Sequence, residues 1–205
     1  MNKRLVIIGA GGHGKVVADI AKNNGYEDIV FIDDNKALTA CGNYPVIGSI
    51  EEAFRYTDRD FVVAIGNAKI RQKVQSMLTE RGLQIATLIH PNAVIGEHVT
   101  ISEGSVVMAG VVVNPYTKIG RGCILNTCSS LDHDCIIGDF VHISVGAHVA
   151  GTVTIGDRSW IGIGASVSNN MGIVSDCMIG AGAVVIHDLC ESGTYIGVPV
   201  KKVNI

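Results

Sequence analysis

Every sixth residue from Ile89 to Val185 is aliphatic, seventeen in succession without a break. Hydrophobic residues scattered at 47% of a chain would not produce such a run by chance. Two residues before each aliphatic stands a slot that is mostly small, as at Ala93, Ser105, Cys123, Cys135, Ala147 and Cys177, with Met171 the one bulky exception. Positions two apart on a strand share a face, so each hexad is a short strand with one small and one large residue facing in, followed by a turn. Gly96, Gly120, Gly138, Gly156, Gly162 and Gly180 follow the aliphatic, where this reading expects the chain to bend. Strands this short cannot bury themselves, but stacked in coils they share one narrow interior and pair edge to edge. A core built this way needs few aromatics and many turns, which agrees with 5% aromatic residues and 25 glycines.

The pattern resembles the hexapeptide-repeat, left-handed parallel β-helix, in which three hexads make one coil. Seventeen hexads then give between five and six coils over residues 89–205. The handedness is implied by the resemblance alone.

Before the register the rhythm changes, and residues 1–88 read as a separate small α/β domain. Residues 4–8 form a buried strand, followed by Gly9-Ala10-Gly11-Gly12-His13-Gly14 and a helix over 15–23. Further strands are expected at 29–32, ending in Asp33-Asp34, and at 61–65, ending in Gly66-Asn67, before a helix over 68–81. Strands alternating with helices imply a parallel sheet with a crevice at the strand ends. The glycines fit the dinucleotide fingerprint, in which the backbone approaches phosphate at a helix N-terminus. The domain is short of the usual two mononucleotide halves, so a phosphate ligand other than NAD is favoured, with His13 in contact with it.

Composition narrows the class. Sixteen basic against nineteen acidic residues, net −3, leave no basic excess for nucleic acid. No apolar stretch reaches the roughly 18 residues of a membrane span. The opening apolar run breaks into glycines at once, unlike a signal peptide. Six cysteines without a CxxC pair read as reduced thiols of a cytoplasmic protein, three of them (Cys123, Cys135 and Cys177) in the small inward slot.

Chemistry concentrates where the repeat departs from its filler, in Asn126-Thr127-Cys128-Ser129-Ser130-Leu131-Asp132-His133-Asp134-Cys135. His133 and Asp134 fall in a turn and face solvent. A carboxylate beside an imidazole orients it and raises its basicity, which makes a general base. His142 and His148 each precede an inward aliphatic and so point outward.

These motifs carry a resemblance that spans residues 3 to about 203. Gly-Gly-His-Gly at 11–14, Phe-Ile-Asp-Asp at 31–34, Ile-Gly-Asn at 65–67, Asn126, Asp-His-Asp-Cys at 132–135, His142 and Gly-Val-Pro-Val-Lys at 197–201 all contribute. The chain resembles the bacterial sugar acetyltransferases made of a Rossmann-like N-terminal domain and a left-handed β-helix. That branch N-acetylates nucleotide-linked 4-amino-4,6-dideoxy sugars in glycan biosynthesis, and includes sialic acid O-acetyltransferase relatives. Val200 stands where the family commonly has Ala.

The resemblance implies that His133 takes the proton from the attacking sugar amine and that Asp134 strengthens it. Acetyl-CoA is implied along a groove between adjacent β-helices of a homotrimer, in contact with Asn126, His142, Gly151, Ile163 and Ala181, the last at a position where Gly is expected. A UDP-linked sugar is implied at the N-terminal domain, with Gly12, His13 and Gly14 near its phosphates, Asp33 and Asp34 near the uracil, and Gly66 close by. Transfer is direct, with no metal and no cysteinyl intermediate.

Other acceptors keep the same chemistry: a sialic acid hydroxyl, or a GDP-linked 4-amino sugar such as perosamine. A zinc hydratase resembling γ-type carbonic anhydrases, using His133, His142 and His148, is a further alternative. It requires a neighbouring subunit, because one hexad places His142 and His148 on adjacent faces. A non-catalytic scaffold leaves both Asp-His-Asp and the glycine loop without a role.

Overall fold

The computed structural model describes residues 3–204. The chain divides into two compact units, Met1–Pro91 and Asn92–Ile205.

The first unit runs β1 (Lys3–Ile8), α1 (Gly12–Asn23), β2 (Tyr26–Ile32), a small hairpin of β3 (Ala40–Cys41) and β4 (Tyr44–Pro45), a 3-10 turn (Ile50–Arg55), β5 (Asp60–Val63) and α2 (Ala68–Glu80). β1 lies between β2 and β5 in a parallel sheet. A central parallel strand must be apolar on both faces, and Leu5, Val6 and Ile7 are fully buried. One face of the sheet packs Val6, Ile8, Val30, Ile32, Phe61 and Val63 around Leu78 of α2. α1 lies against β1 and β2.

Helix α1 starts at Gly12, three residues earlier than expected, because the end of the glycine motif is already helical. The third fingerprint glycine is dictated by packing: a Cβ at Gly14 would collide with the Gly9 carbonyl oxygen and stand 2.9 Å from the Phe31 ring. The hairpin and the 3-10 turn are absent from the sequence reading. A reciprocal capping box of Ser49 and Glu52 starts that turn.

In the second unit nearly every strand is two residues long, and strands 18 residues apart pair in parallel. Three faces result. The first carries Val94, Val112, Ser130, His148, Ser166 and Val184 as outward residues, six strands in a stack. Thr100, Lys118, Ile136, Thr154 and Gly172 mark the second, and Val106, Ile124, His142, Trp160 and Met178 the third. Inside, Leu125, Leu131, Ile137 and Ile143 are buried with the small slots Cys123, Ser129, Cys135 and Val141 between them. Each such aliphatic contributes about 1.5–3 kcal/mol by leaving water.

The bends lie elsewhere than expected. Every sixth residue from His98 to Gly182 has a left-handed backbone, three positions after the inward aliphatic. Nine of these are not glycine, Asp134 at φ 58° among them. The glycines directly after the aliphatic serve close approach instead. A Cβ at Gly120 would lie 2.7 Å from the Gly138 carbonyl carbon, and one at Gly162 would lie 2.7 Å from that of Gly180. Stacking the coils, and not turning the chain, removes their side chains.

Candidate active site

His133 sits on the corner between the first and second faces, one position before the left-handed Asp134. That geometry turns the two side chains together: His133 Nδ1 lies 2.8 Å from Asp134 Oδ2, and both side chains are exposed. With Nδ1–H donated to the carboxylate, Nε2 remains as the basic nitrogen. The Asp134 hydrogen bond, with the charges of Asp132 and Asp134, raises the imidazole pKa above its ordinary 6.5. One coil further on, Gly151 leaves the space that Nε2 needs, since a Cβ there would stand 2.6 Å from it. A basic imidazole, oriented from behind and open on its outer side, can accept a proton from a nucleophile.

Cys135, next to Asp134, is poorly placed for chemistry at this corner. Cys135 is fully buried, its thiol donates to the Ala150 carbonyl at 3.2 Å, and burial pushes its pKa up. An attacking thiolate needs the opposite conditions.

The expected cofactor contacts fall into two groups. Asn126 Nδ2 and His142 Nε2 meet at 3.2 Å, and His142 tilts against the Trp160 ring at 4.3 Å between centroids. Packing between Asn126 and Trp160 leaves the outward-pointing His142 only 7% exposed, where the sequence reading expects a ring in solvent. Exposed Ile163 and Ala181 lie one coil apart on the same corner as Asn126. Gly151 belongs with His133 on the other side of the first face. His148 lies on the first face, its Nδ1 2.8 Å from Ser130 Oγ. His142 and His148 therefore occupy different faces with different partners.

Between the two corners runs a groove of about 350 Å³, lined by Asn114, Ser130, Asp132, His148, Ala150 and Ser166 among others. The sequence reading missed Asn114 and Ser166 altogether. The coil spacing of 18 could have found Asn114, which stands directly below Asp132 in the stack.

Comparison with known proteins decides the family. The PglD N-terminal domain model matches residues 4–78. GDP-perosamine N-acetyltransferase of Escherichia coli O157:H7 is 33% identical over 156 residues, covering 72% of this chain and 70% of that protein. The chain belongs to the nucleotide-sugar N-acetyltransferases. Two solved structures align over nearly the whole acetyltransferase. The acetyltransferase domain of PglB from Neisseria gonorrhoeae FA1090, in complex with acetyl coenzyme A, has a TM-score of 0.94 at 39% identity, covering 99% of this chain and 100% of that one. PerB from Caulobacter crescentus, in complex with CoA and GDP-perosamine, has a TM-score of 0.94 at 35% identity, covering 100% and 99%.

The acetyltransferase carries a second set of features in its first unit. No side chain caps α1, and a Cβ at Gly11 or Gly12 would meet nothing within 4 Å, so the first turn of α1 is open to a ligand. Helix N-termini of this kind attract anions. Asp33 spends its carboxylate on the Ala10 and Asn35 amides, at 2.8 and 2.9 Å, and Asp34 accepts from the Ile50 amide. Asp33 lines two cavities. One of about 470 Å³ includes Lys36, Thr39, Ser49 and Glu52, and one of about 170 Å³ includes Ile8, Asp34, Ile65 and Ile70. The His13 imidazole is half-buried, and burial with the nearby Arg71 charge holds its pKa down to about 4. With no anion beside it, the ring is therefore neutral near pH 7. Arg71 went unnoticed in the sequence; it is 1% exposed and donates from Nη1 to the carbonyls of Ile65 and Gly66 at 2.8 Å each.

Among the described residues, no helix is long and apolar enough to cross a membrane.

Proposed function

We propose that this acetyltransferase moves the acetyl group of acetyl-CoA directly onto the 4-amino group of a nucleotide-linked 4-amino-4,6-dideoxy sugar, with His133 as general base. The observation that carries the reading is the 2.8 Å bond from His133 Nδ1 to Asp134, which leaves Nε2 basic and facing the space kept free by Gly151. The amine nitrogen attacks the thioester carbonyl while His133 Nε2 takes an amine proton. Collapse of the tetrahedral intermediate expels the CoA thiolate, and the imidazolium returns the proton to sulfur. An amine needs proton removal and positioning against the thioester, and little else.

The nucleotide end of the substrate belongs to the first unit. The amides of Gly12, His13 and Gly14 in the first turn of α1 approach its phosphates, and Asp33, Asp34 and Gly66 border the base and sugar. UDP is the nucleotide implied by the motif at 31–34. GDP is a specific second reading, supported by the GDP-perosamine enzymes among the relatives.

Acetyl-CoA contacts Asn126, His142, Gly151, Ile163 and Ala181. Within one chain these lie on both sides of the first face, so a single ligand touches both groups when it lies between two copies of the chain. A homotrimer supplies that arrangement, and the cytoplasm is its proposed compartment.

The test is acetyl-CoA consumption, followed by thiol release, with a UDP-4-amino-4,6-dideoxy sugar, a GDP-4-amino-4,6-dideoxy sugar and free sialic acid offered in parallel. Turnover of either amino sugar supports the reading and selects the nucleotide. Turnover of sialic acid alone overturns the amine acceptor.

A further inference from the structure

We infer that Asp132, held by Asn114, is a positioning residue that sets the His133 imidazole in its working place; this rests on the reading of His133 as the base. Asp132 Oδ1 accepts two hydrogen bonds, from Asn114 Nδ2 at 2.7 Å and from the His133 backbone N–H at 2.8 Å. The first ties the carboxylate to the coil below, and the second fixes the peptide from which the imidazole projects. Both bonds favour the ionised carboxylate and hold its pKa below the usual value.

The turn itself does not need this carboxylate. One coil further on, Ala150 takes the same place in the stack, and the chain still enters the left-handed bend at Thr152. Thr117 also bonds to the Asp132 carbonyl, at 2.7 Å, but Ser105 and Ser159 make the same inward bond to the carbonyls of Gly120 and Val174. That device belongs to the scaffold, whereas the pair of Asn114 and Asp132 sits at the one corner that carries the base. The charge of its anion also acts on the imidazole, together with Asp134. His148 lines the same groove and bonds Ser130, and Gly151 of the coil above lies against the ring.

The experiment compares kcat, KM for acetyl-CoA and the pH profile of kcat/KM for Asp132→Asn, Asp132→Ala, Asn114→Ala and His133→Ala, with melting curves for each. Misplacing a reacting group by about 1 Å costs up to about a hundredfold in rate, so Asp132→Ala is expected to lose about tenfold or more in kcat with little change in KM. Asn114→Ala loses less, because the His133 N–H bond survives. Asp132→Asn keeps an acceptor for that N–H but removes a charge, and the acid limb of its profile moves to lower pH. If Asp132→Ala fails to fold, the other three variants decide. Near-normal kcat and an unmoved limb in Asp132→Asn and Asn114→Ala, with turnover lost in His133→Ala, overturn this inference alone. Normal turnover in His133→Ala overturns the base and this inference with it.

Discussion

At the residue scale the site depends on what is missing as much as on what is present. Gly151 has no side chain where a Cβ would press on His133 Nε2. Gly151→Ala is expected to lower kcat/KM by about tenfold or more through displacement of the imidazole, with the melting temperature nearly unchanged. Steady-state kinetics beside a thermal melt checks both halves. Asp134 acts in the opposite sense, by a bond that is made. Because that bond raises the His133 pKa, the ring stays protonated to higher pH, and base activity fades as pH falls through a value above 6.5. Asp134→Asn removes the anion, so its kcat/KM profile is expected to lose activity only at lower pH while the plateau rate drops. A profile whose acid limb does not move contradicts this role. His133 and Asp134 were legible because the six-residue register assigns them to a turn. Arg71 was not, because nothing in a helical pattern marks which arginine is aimed inward at two carbonyls.

At the element scale the register carried the strands, the inward rows and the coil number, since alternation and period are properties of the chain itself. It misplaced the bends. A glycine after each aliphatic looks like a turn, yet the left-handed residues fall two positions later and include Tyr116, Phe140 and Arg158. Such residues pay about 1–2 kcal/mol for that backbone, and only stacked neighbours, invisible in a local pattern, can impose it. The two helix-entry glycines separate packing from binding in the same way. Gly14→Ala collides with the Gly9 carbonyl and is expected to cost about 1–3 kcal/mol or more by overpacking, read from chemical denaturation. Gly12→Ala meets open space, so it is expected to keep the stability and to raise KM for the nucleotide sugar alone. Equal effects of the two substitutions on stability contradict this division.

At the scale of the whole molecule, the proposed cofactor contacts lie on two corners that one chain keeps apart. If neighbouring chains complete each site, two inactive variants can repair one another. His133→Ala spoils one half of the site and Ile163→Glu the other. Mixed and reassembled in equal amounts, they are expected to regain roughly a quarter of the native turnover, because in a closed ring about that share of interfaces joins two intact halves. A mixture as inactive as its components places the whole site within one chain. The coil stack was legible at this scale from the register, whereas a pairing of corners between copies is not written in it, because a period within one chain says nothing of which face a neighbouring chain covers.

The central claim is that His133 removes a proton from the acceptor amine during acetyl transfer. Its most direct test is the pH dependence of kcat/KM for the native chain and for His133→Ala, with whichever amino sugar is turned over. The native profile is expected to show an acid limb above the ordinary imidazole value of about 6.5. His133→Ala is expected to lose about a hundredfold or more in rate, together with that limb. A variant that keeps both the rate and the limb contradicts the account.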